Sequence, residues 1–568
     1  MNFIKRRFAE SFLILFSLLF NLEIIYSSKS PVIGKKGMVV TSQKIASEIG
    51  MDILKKGGNA VDAAVAVGYA LAVVFPSAGN IGGGGFMVIR MNDGTETTMD
   101  FREMAPNKAH PNMFLDEKGD VIPNLSTIGY LSAGVPGTVA GLSLALNKYG
   151  TMPLKRLIQP AIDLAKKGFP IYQELCNDII DNRDSFLKFP STSSIFLKGK
   201  GFYEIGERFV QKDLANSLLL ISRYGENAFY NGKIADLIGK DMKKNGGLIT
   251  KEDLKNYRAI ERTPIIGSYR GYKVISMGLP SSGGIILNEI LNILELYDLQ
   301  KMGHNSSEAI HIITEAERRA FADRAKYLGD MDFTSVPVKE LISKEYAKKL
   351  NLSIENNKAS SSDDINNGIK YPFEGEHTTH YSIVDKFGNA VSCTYTINNW
   401  FGSMAVVDGA GFLLNDEMDD FAIKPDYPNL SGLTGGNANS IQPHKRMLSS
   451  MTPTIITKDD KLFMVTGSPG GSRIITTVLQ IIINVIDYKM SIKEAVDVPR
   501  VHHQWKPDII YYEPYALPND VIYNLEKMGH KLDKRDYMGD ANSILFDSEN
   551  KIIYGSPDSR TNSVAIGY

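Results

Sequence analysis

The sequence predicts an α+β fold, in which stretches of helical periodicity alternate with short strands. Three observations favour this class. Residues 138–180 and 208–245 have mainly helical patterns, strand alternation occurs within 86–101 and 378–398, and helices are again predicted from Ile474 onward. At 568 residues, with 43% hydrophobic and 22% charged residues, the chain is long enough for a large core and has a globular composition.

The elements before residue 330 follow from local signals. Ser42–Lys56 is predicted to be a helix that stops at Gly57-Gly58, a pair typical of helix ends. Ala60–Val74 is a second helix, rich in small residues that allow close packing. Residues 86–101 predict a hairpin turning at Asn92-Asp93-Gly94. The elements that follow are a strand at Tyr272–Ser276 and helices at Ile285–Leu296 and Ser307–Leu328.

The first 28 residues predict a secretory signal peptide. Lys5, Arg6 and Arg7 precede the apolar run Phe12–Phe20, and small residues follow at Ser27-Ser28. A membrane anchor is the alternative, but the run is short for a span of about 20 apolar residues. No second segment has a transmembrane pattern. We therefore expect export, with the protein periplasmic or secreted.

Composition also narrows the partners and the chemistry. The formal net charge of −1 gives no reason to expect nucleic acid or anionic membrane as a partner. No cluster of metal ligands is visible in the spacing. Two cysteines, Cys176 and Cys393, could form one disulfide, but Cys393 lies on the apolar face of a predicted strand, which favours a buried free thiol.

Residues 351–376 are polar and lack periodicity, which predicts an exposed, mobile segment of the kind that tolerates cutting. Thr378 follows directly, at the start of a predicted hairpin with strands 378–384 and 390–398. If Val384 pairs with Ala390, Thr378 lies opposite Thr396 on a polar face.

A threonine hydroxyl is a poor nucleophile unless a base lies beside it, and a freed α-amino group on the same residue is such a base. Its reference pKa, about 7.7–8.0, leaves it partly neutral near physiological pH. Cutting the His377–Thr378 bond would release that amine, and the Thr378 hydroxyl can itself attack this bond. The alternative is a half-buried hairpin with a solvated threonine face and no chemistry.

Three further groups are suited to binding an anion. The adjacent hydroxyls of Ser449 and Ser450 can donate to one carboxylate, and the Arg102 guanidinium can hold a carboxylate through two bonds. Backbone N–H groups at Gly470 and Gly471 can form an oxyanion hole. The structural alternatives are a polar turn, a surface ion pair of Arg102 with Glu103 or Asp100, and a tight turn before a helix.

The loop Asn415–Phe421 is acidic, and a carboxylate pair within it could receive an ammonium group. Calcium binding is a second interpretation, but the loop lacks the EF-hand spacing. A solvated acidic turn is the third.

In order over nearly 400 residues, these motifs resemble those of the γ-glutamyltransferases, which are N-terminal nucleophile hydrolases. The resemblance runs from about residue 31 to the C-terminus. It implies that Thr378 is the nucleophile and Thr396 its support, and that Arg102, Ser449 and Ser450 hold the γ-glutamyl α-carboxylate. It further implies that Asn398, Glu417 and Asp420 bind the α-amino group and that Gly470 and Gly471 form the oxyanion hole.

The same resemblance implies a four-layer αββα sandwich. After self-cleavage, a large subunit (29–377) and a small catalytic subunit (378–568) would form one interwoven fold, without a cofactor or a metal. The expected donors are glutathione and other γ-glutamyl compounds, and the expected acceptors are water, amino acids or dipeptides. Residues 425–436 look like the lid loop of bacterial members, in which some carry an aromatic gate; here the position is Ser431, and Tyr427 is a possible substitute.

Two other functions fit part of the pattern. A cephalosporin (glutaryl) acylase would share the scaffold and the nucleophile, but would not need carboxylates for an ammonium group. A non-catalytic periplasmic binding protein for amino acids or peptides would use the same charged groups, but would not need a scissile bond before Thr378.

Overall fold

The computed structural model describes residues 30–199, 201–364, 378–425 and 427–568. Two seven-stranded antiparallel sheets pack face to face, and each is covered on its outer face by helices. Val40 and Val88 of one sheet meet Ile275 and Ile455 of the other in a buried apolar layer. The predicted four-layer αββα sandwich is therefore confirmed, whereas the predicted signal peptide and His377 lie outside the described residues.

The first sheet, sheet I, carries the predicted hairpin at its centre. Its strands are all antiparallel to their neighbours. In spatial order they are Val564–Gly567, Met38–Thr41, Thr379–Val384, Ala390–Thr396, Gly84–Arg90, Glu96–Asp100 and Ile260–Arg262.

The second sheet, sheet II, is formed mostly by the C-terminal third of the chain. Its strands in spatial order are Val32–Gly34, Ile552–Ser556, Ser543–Asp547, Lys461–Thr466, Thr454–Lys458, Tyr272–Ser276 and Ile265–Tyr269. Two smaller sheets consist of Val501–His502, Ile510–Tyr512 and Leu532–Lys534, and of Phe169–Pro170 and Arg208–Phe209.

Helices form the two outer layers. Those on the side of sheet I are Lys44–Lys55, Ala60–Val74, Thr138–Tyr149, Leu154–Lys167, Gln173–Asp181, Arg183–Phe186, Pro190–Phe196, Lys212–Tyr224, Asn227–Tyr230, Lys233–Asn245 and Lys251–Asn256. The others are Gly283–Leu294, Leu299–Met302, Ser307–Tyr327, Val338–Leu341, Lys344–Asn351, Arg473–Ile486, Ile492–Asp497 and Asn519–Lys527. Short 3₁₀ turns occupy Tyr130–Ser132, Glu417–Asp420 and Asn437–Asn439.

The helix Ala60–Val74 shows why the early elements were predictable. The Asn59 side chain caps the N-terminus of this helix by accepting from the Asp62 N–H. The Asp62 side chain in turn accepts from the Asn59 N–H. All fifteen of its residues are buried, in accordance with the small side chains along it. Among the described residues no helix is both long and apolar enough to cross a bilayer.

The hairpin has the predicted register, with Val384 paired to Ala390 and Thr379 to Tyr395, so that Thr378 lies opposite Thr396. The interpretation of a solvated threonine face is wrong, because every residue of both strands is buried. The polar face is directed toward sheet II, where the Ser382 hydroxyl donates to the Asn542 carbonyl oxygen at 2.7 Å.

Two other predictions can be compared with the structure. Cys176 and Cys393 are both free and buried, as expected for cysteines that form no disulfide. In the described part of the polar segment, residues 351–364, most side chains are exposed. Ser362 is an exception, because it is buried and its N–H donates to Asp508.

Candidate active site

Thr378 lies immediately before a central strand of sheet I and is 6% exposed. Its hydroxyl donates to the Thr396 hydroxyl oxygen at 3.3 Å. The Asn398 N–H donates to the same oxygen at 2.9 Å. The cross-strand pair therefore fixes the direction of the Thr378 hydroxyl, as the register predicts.

His380 lies on the same strand face as Thr378 but is not placed to act as its base. Its two ring nitrogens contact the hydroxyls of Thr394 at 2.8 Å and Ser382 at 3.0 Å. Burial lowers the pKa of His380 to about 3, so the ring is neutral and structural at physiological pH. A base for Thr378 must therefore come from elsewhere, and a freed α-amino group meets that need.

Gly470 and Gly471 form the turn before the helix Arg473–Ile486. Their φ angles are 130° and 54°, in the region that favours glycine. In the described part of the chain neither N–H donates to an acceptor, so both are left for a ligand oxygen. The positive end of the helix dipole lies close behind them and favours negative charge at this turn.

A narrow pocket next to Thr378 brings most of the predicted site residues together. Gly470 is not among its lining residues, but it lines a second cavity that Thr378 also lines. The residues that line the narrow pocket are Arg102, Arg324, Thr378, Thr396, Asn398, Glu417, Asp420, Ser431, Leu433, Ser449, Ser450, Met451, Gly471 and Ile474.

Arg102 is fully buried and surrounded by carboxylates rather than lying at the surface. Its Nη1 lies 2.6 Å from Glu417 Oε2 and 3.4 Å from Glu103 Oε2, and its Nη2 donates to Asp420. Its Nε donates to the Met447 carbonyl oxygen at 3.2 Å. The interpretation of a surface ion pair is therefore wrong.

These carboxyl groups are crowded in a dry environment. Burial raises the pKa of Glu103 to about 7, although Arg102 opposes the shift. Burial also raises the pKa of Glu417 well above its usual range, again against the effect of Arg102. The interpretation of a solvated acidic turn is thus wrong for Glu417. Three carboxyl groups share one guanidinium here, and an added cation would favour their ionised forms.

Two serine hydroxyls and a second guanidinium also line the pocket. Ser449 and Ser450 are buried, and Arg324 Nη2 donates to the Ser450 hydroxyl at 3.2 Å. Arg324 Nε donates to the Ser282 hydroxyl at 3.0 Å. Among the described residues Arg324 has no carboxylate within 4.0 Å, and burial lowers its pKa to about 10. A buried guanidinium bound only to hydroxyls favours an anion nearby.

Residues 427–436, within the segment that resembles a lid loop, are hydrogen-bonded to the acidic groups. Asn429 Nδ2 donates to Asp420 Oδ1 at 2.8 Å, and the Leu430 N–H donates to Asp419 at 2.7 Å. Ser431 is buried and lines the pocket, whereas Tyr427 is 41% exposed and does not line it. In this arrangement Tyr427 does not take the place of an aromatic gate.

Comparison with known proteins identifies the family. A model described as gamma-glutamyltranspeptidase matches residues 46–568. The chain belongs to the γ-glutamyltranspeptidase family. The interpretation of a non-catalytic binding protein is set aside with this finding.

Relatives of this γ-glutamyltranspeptidase family member include the glutathione hydrolase proenzyme of Escherichia coli (strain K12), which is 51% identical over 540 residues, or 95% of this chain and 93% of that protein. The crystal structure of Helicobacter pylori γ-glutamyltranspeptidase is 53% identical, with a TM-score of 0.57, over 59% of this chain and 96% of that one. A cephalosporin acylase from Bacillus halodurans is 28% identical, with a TM-score of 0.85, over 95% of this chain and 97% of that one.

Sequence reasoning missed two charged residues of this γ-glutamyltranspeptidase site. Glu103 was considered only as a surface partner of Arg102, although both are buried. Arg324 lies in the charge-rich helix Ser307–Tyr327, whose spacing does not distinguish it from its neighbours. The burial of most of this helix, which charged residues tolerate only with partners, is visible in the structure and not in the sequence.

The fold also assembles a group that the spacing did not reveal. Ligand atoms of His311, Glu315 and His530 lie within 4.8 Å of one another. His311 Nδ1 contacts His530 Nε2 at 2.8 Å, and Glu315 pairs with Arg319 at 2.6 Å and with Arg318 at 3.2 Å. Because two arginines already neutralise the carboxylate, the group is better explained as a buried ion-pair network than as a cation site. The absence of a metal stays a prediction.

Proposed function

We propose that this protein is a self-processing γ-glutamyltransferase and glutathione hydrolase that cleaves γ-glutamyl amides through an acyl-enzyme on Thr378. The observation that carries the proposal is the charge arrangement of the pocket beside Thr378. Arg102, Arg324 and the hydroxyls of Ser449 and Ser450 line it, and so do the carboxyl groups of Glu417 and Asp420. A zwitterionic α-amino acid head needs both, and a glutamate side chain would then extend from that head toward the nucleophile.

In the proposed reaction the Thr378 hydroxyl attacks the γ-carbonyl carbon, and the freed α-amino group of Thr378 takes its proton. The developing oxyanion is held by the Gly470 and Gly471 N–H groups, each worth about 3–4 kcal/mol in comparable sites. The amine departs with a proton, and water or an amino acid or dipeptide acceptor then attacks the γ-glutamyl ester. Asn398, Glu417 and Asp420 hold the substrate ammonium, while Arg102, Ser449 and Ser450 hold its carboxylate.

The same hydroxyl is proposed to cut the His377–Thr378 bond. The products, residues 29–377 and 378–568, remain together as a heterodimer. Export to the periplasm or outside the cell, after removal of the signal peptide, belongs to the same proposal. N-terminal sequencing of the smaller fragment tests it, because the first residue must be Thr378.

An acylase is the second candidate, since the acylase from Bacillus halodurans has the same fold over nearly the whole chain. The substrate's α-amino group separates the two activities. We expect γ-glutamyl anilide to react about 10²-fold faster than glutaryl anilide, because the glutaryl group brings no ammonium to the buried carboxyl groups, at a cost of roughly 3 kcal/mol. Asp420→Asn should lower the ratio of kcat/KM for γ-glutamyl anilide to kcat/KM for glutaryl anilide. Equal kcat/KM for the two anilides would assign the protein to the acylases.

Arg324 is proposed to help bind the α-carboxylate of the substrate. Arg324→Gln should raise KM for γ-glutamyl anilide by about 30-fold or more, given about 2–5 kcal/mol for a buried charged contact. The 4-aminobutyryl anilide lacks only the α-carboxylate. We expect it to react more slowly with the unmodified enzyme, and its KM should hardly change in Arg324→Gln. Lys326→Gln, at an exposed position two residues along the same helix, is the matched control. Equal losses on both anilides would mean that Arg324 supports only the structure.

A further inference from the structure

A second cavity, of about 480 Å³, also has Thr378 in its lining. Thr378 lines both spaces, while Gly470 lines this cavity and Gly471 the narrow pocket. A carbonyl held by the two glycine N–H groups would therefore lie between the two spaces. If the γ-glutamyl head fills the narrow pocket, the amine side of the scissile bond must enter this cavity.

The cavity has aromatic walls. Phe75, Tyr172, Trp400 and Tyr537 line it, and the rings of Phe75 and Trp400 meet edge to face with centroids 5.8 Å apart. Aromatic faces attract cations and also pack against apolar stems. The walls thus suit an amine that carries an apolar chain or a second positive charge.

The charged residues of the lining are mostly acidic. Glu174 and Asp178 lie one turn apart on the helix Gln173–Asp181, so they share one face of it. Glu174 is exposed and accepts from Asn562, and Asp178 is half-buried. In the described ranges neither carboxylate has a cationic partner within 4.0 Å. Burial, together with Asp181 and Glu174, raises the pKa of Asp178 to about 7.

The remaining charges do not reverse this balance. Arg560 lines the cavity, but its guanidinium is bound to Glu513 and Asp558. Asp540 also lines it, and its oxygens accept from the hydroxyls of Ser42, Thr561 and Ser563. The cavity therefore offers an added ligand two carboxylates without a cation, and no unneutralised arginine.

We propose that this cavity receives the leaving and accepting amines and that Glu174 and Asp178, with the aromatic walls, select amines bearing a second positive charge. The inference rests on the proposed function. In the transfer step the uncharged amine nitrogen attacks the acyl carbon of γ-glutamyl-Thr378. A C–N bond forms, the bond from that carbon to Thr378 Oγ1 breaks, and the amine proton passes to Oγ1.

Two acceptors that differ only in side-chain charge test the selection, namely argininamide and its neutral counterpart citrullinamide. With γ-glutamyl anilide as donor, the acceptor kcat/KM of argininamide should exceed that of citrullinamide about three- to tenfold, the range for partly exposed charge contacts. The ratio should fall toward one in the Glu174→Gln/Asp178→Asn double variant and at high salt. Both acceptors are compared on the same variant, so a general loss of activity cancels from the ratio.

Asp184→Asn is the control, because it removes an exposed carboxylate just beyond the same helix and outside the cavity lining. Asp184→Asn should leave the ratio of argininamide to citrullinamide kcat/KM unchanged. A ratio of one in the unmodified enzyme, or a ratio that the double variant leaves intact, would overturn the assignment while γ-glutamyl hydrolysis still stands. If the unmodified enzyme does not hydrolyse γ-glutamyl anilide, the proposed function is wrong, and the role of the cavity is wrong with it.

Discussion

Replacing Thr378 by alanine is expected to leave the purified protein as one uncut chain without γ-glutamyl hydrolase activity. The variant loses the hydroxyl that hydrogen-bonds Thr396 and that is proposed to attack both the peptide bond and the substrate. Removal of a nucleophile lowers kcat by about 10⁴-fold or more in comparable enzymes. A denaturing gel and an anilide assay on the same preparation measure both effects.

Thr378→Ser is the matched variant, because it keeps a hydroxyl at the same place. It should be cut and retain part of the activity, which separates loss of the hydroxyl from loss of the fold. Two fragments with unaltered kinetics from Thr378→Ala would remove Thr378 from the role of nucleophile.

Replacing Arg102 by alanine is expected to raise KM for γ-glutamyl anilide by about 30-fold or more, since a buried charged contact is worth roughly 2–5 kcal/mol. The structure adds a second effect. Glu103, Glu417 and Asp420 all surround this guanidinium, so its removal leaves buried carboxylates unpaired and should lower Tm as well. Arg102→Lys keeps the charge without the planar guanidinium. Its KM and Tm should therefore lie between those of the unmodified enzyme and those of Arg102→Ala. Steady-state kinetics and thermal unfolding measure the two effects.

Arg262→Ala is the control for this experiment. Arg262 is also largely buried and pairs with Asp100 and Asp332, but it does not line the pocket. Arg262→Ala should therefore lower Tm while leaving KM for γ-glutamyl anilide unchanged. An Arg102→Ala enzyme that is folded, cut and normal in KM would contradict the assignment of Arg102 to substrate binding.

The parts of the fold that could be predicted are those that depend on short stretches of sequence. The helix Ala60–Val74 follows from its capping residues and small side chains, and the pairing of Val384 with Ala390 follows from two agreeing alternations. The turn at Gly470 and Gly471 was predictable because few residues other than glycine adopt such backbone angles.

The parts that could not be predicted depend on contacts between distant segments. Arg102 meets Asp420 across 318 positions, and Arg324 meets Ser450 across 126. The alternation of the hairpin separated polar from apolar residues, but it could not reveal that a second sheet covers the polar face. Similarly, no local pattern shows that Ser431 lines the pocket while Tyr427 does not.

The order of strands in sheet I has a consequence for the protein after cleavage. Strands from before and after the proposed cut at residue 377 are interleaved there, since Thr379–Val384 lies beside Met38–Thr41, and Ala390–Thr396 lies beside Gly84–Arg90. The uncut chain assembles this order within one molecule. Once cut, the two pieces could rebuild it only by a bimolecular encounter, which carries an entropic cost that the covalent chain did not have. Denaturation of the mature enzyme should thus be hard to reverse, with recovery rising with protein concentration, while the uncut Thr378→Ala chain refolds at a rate independent of concentration.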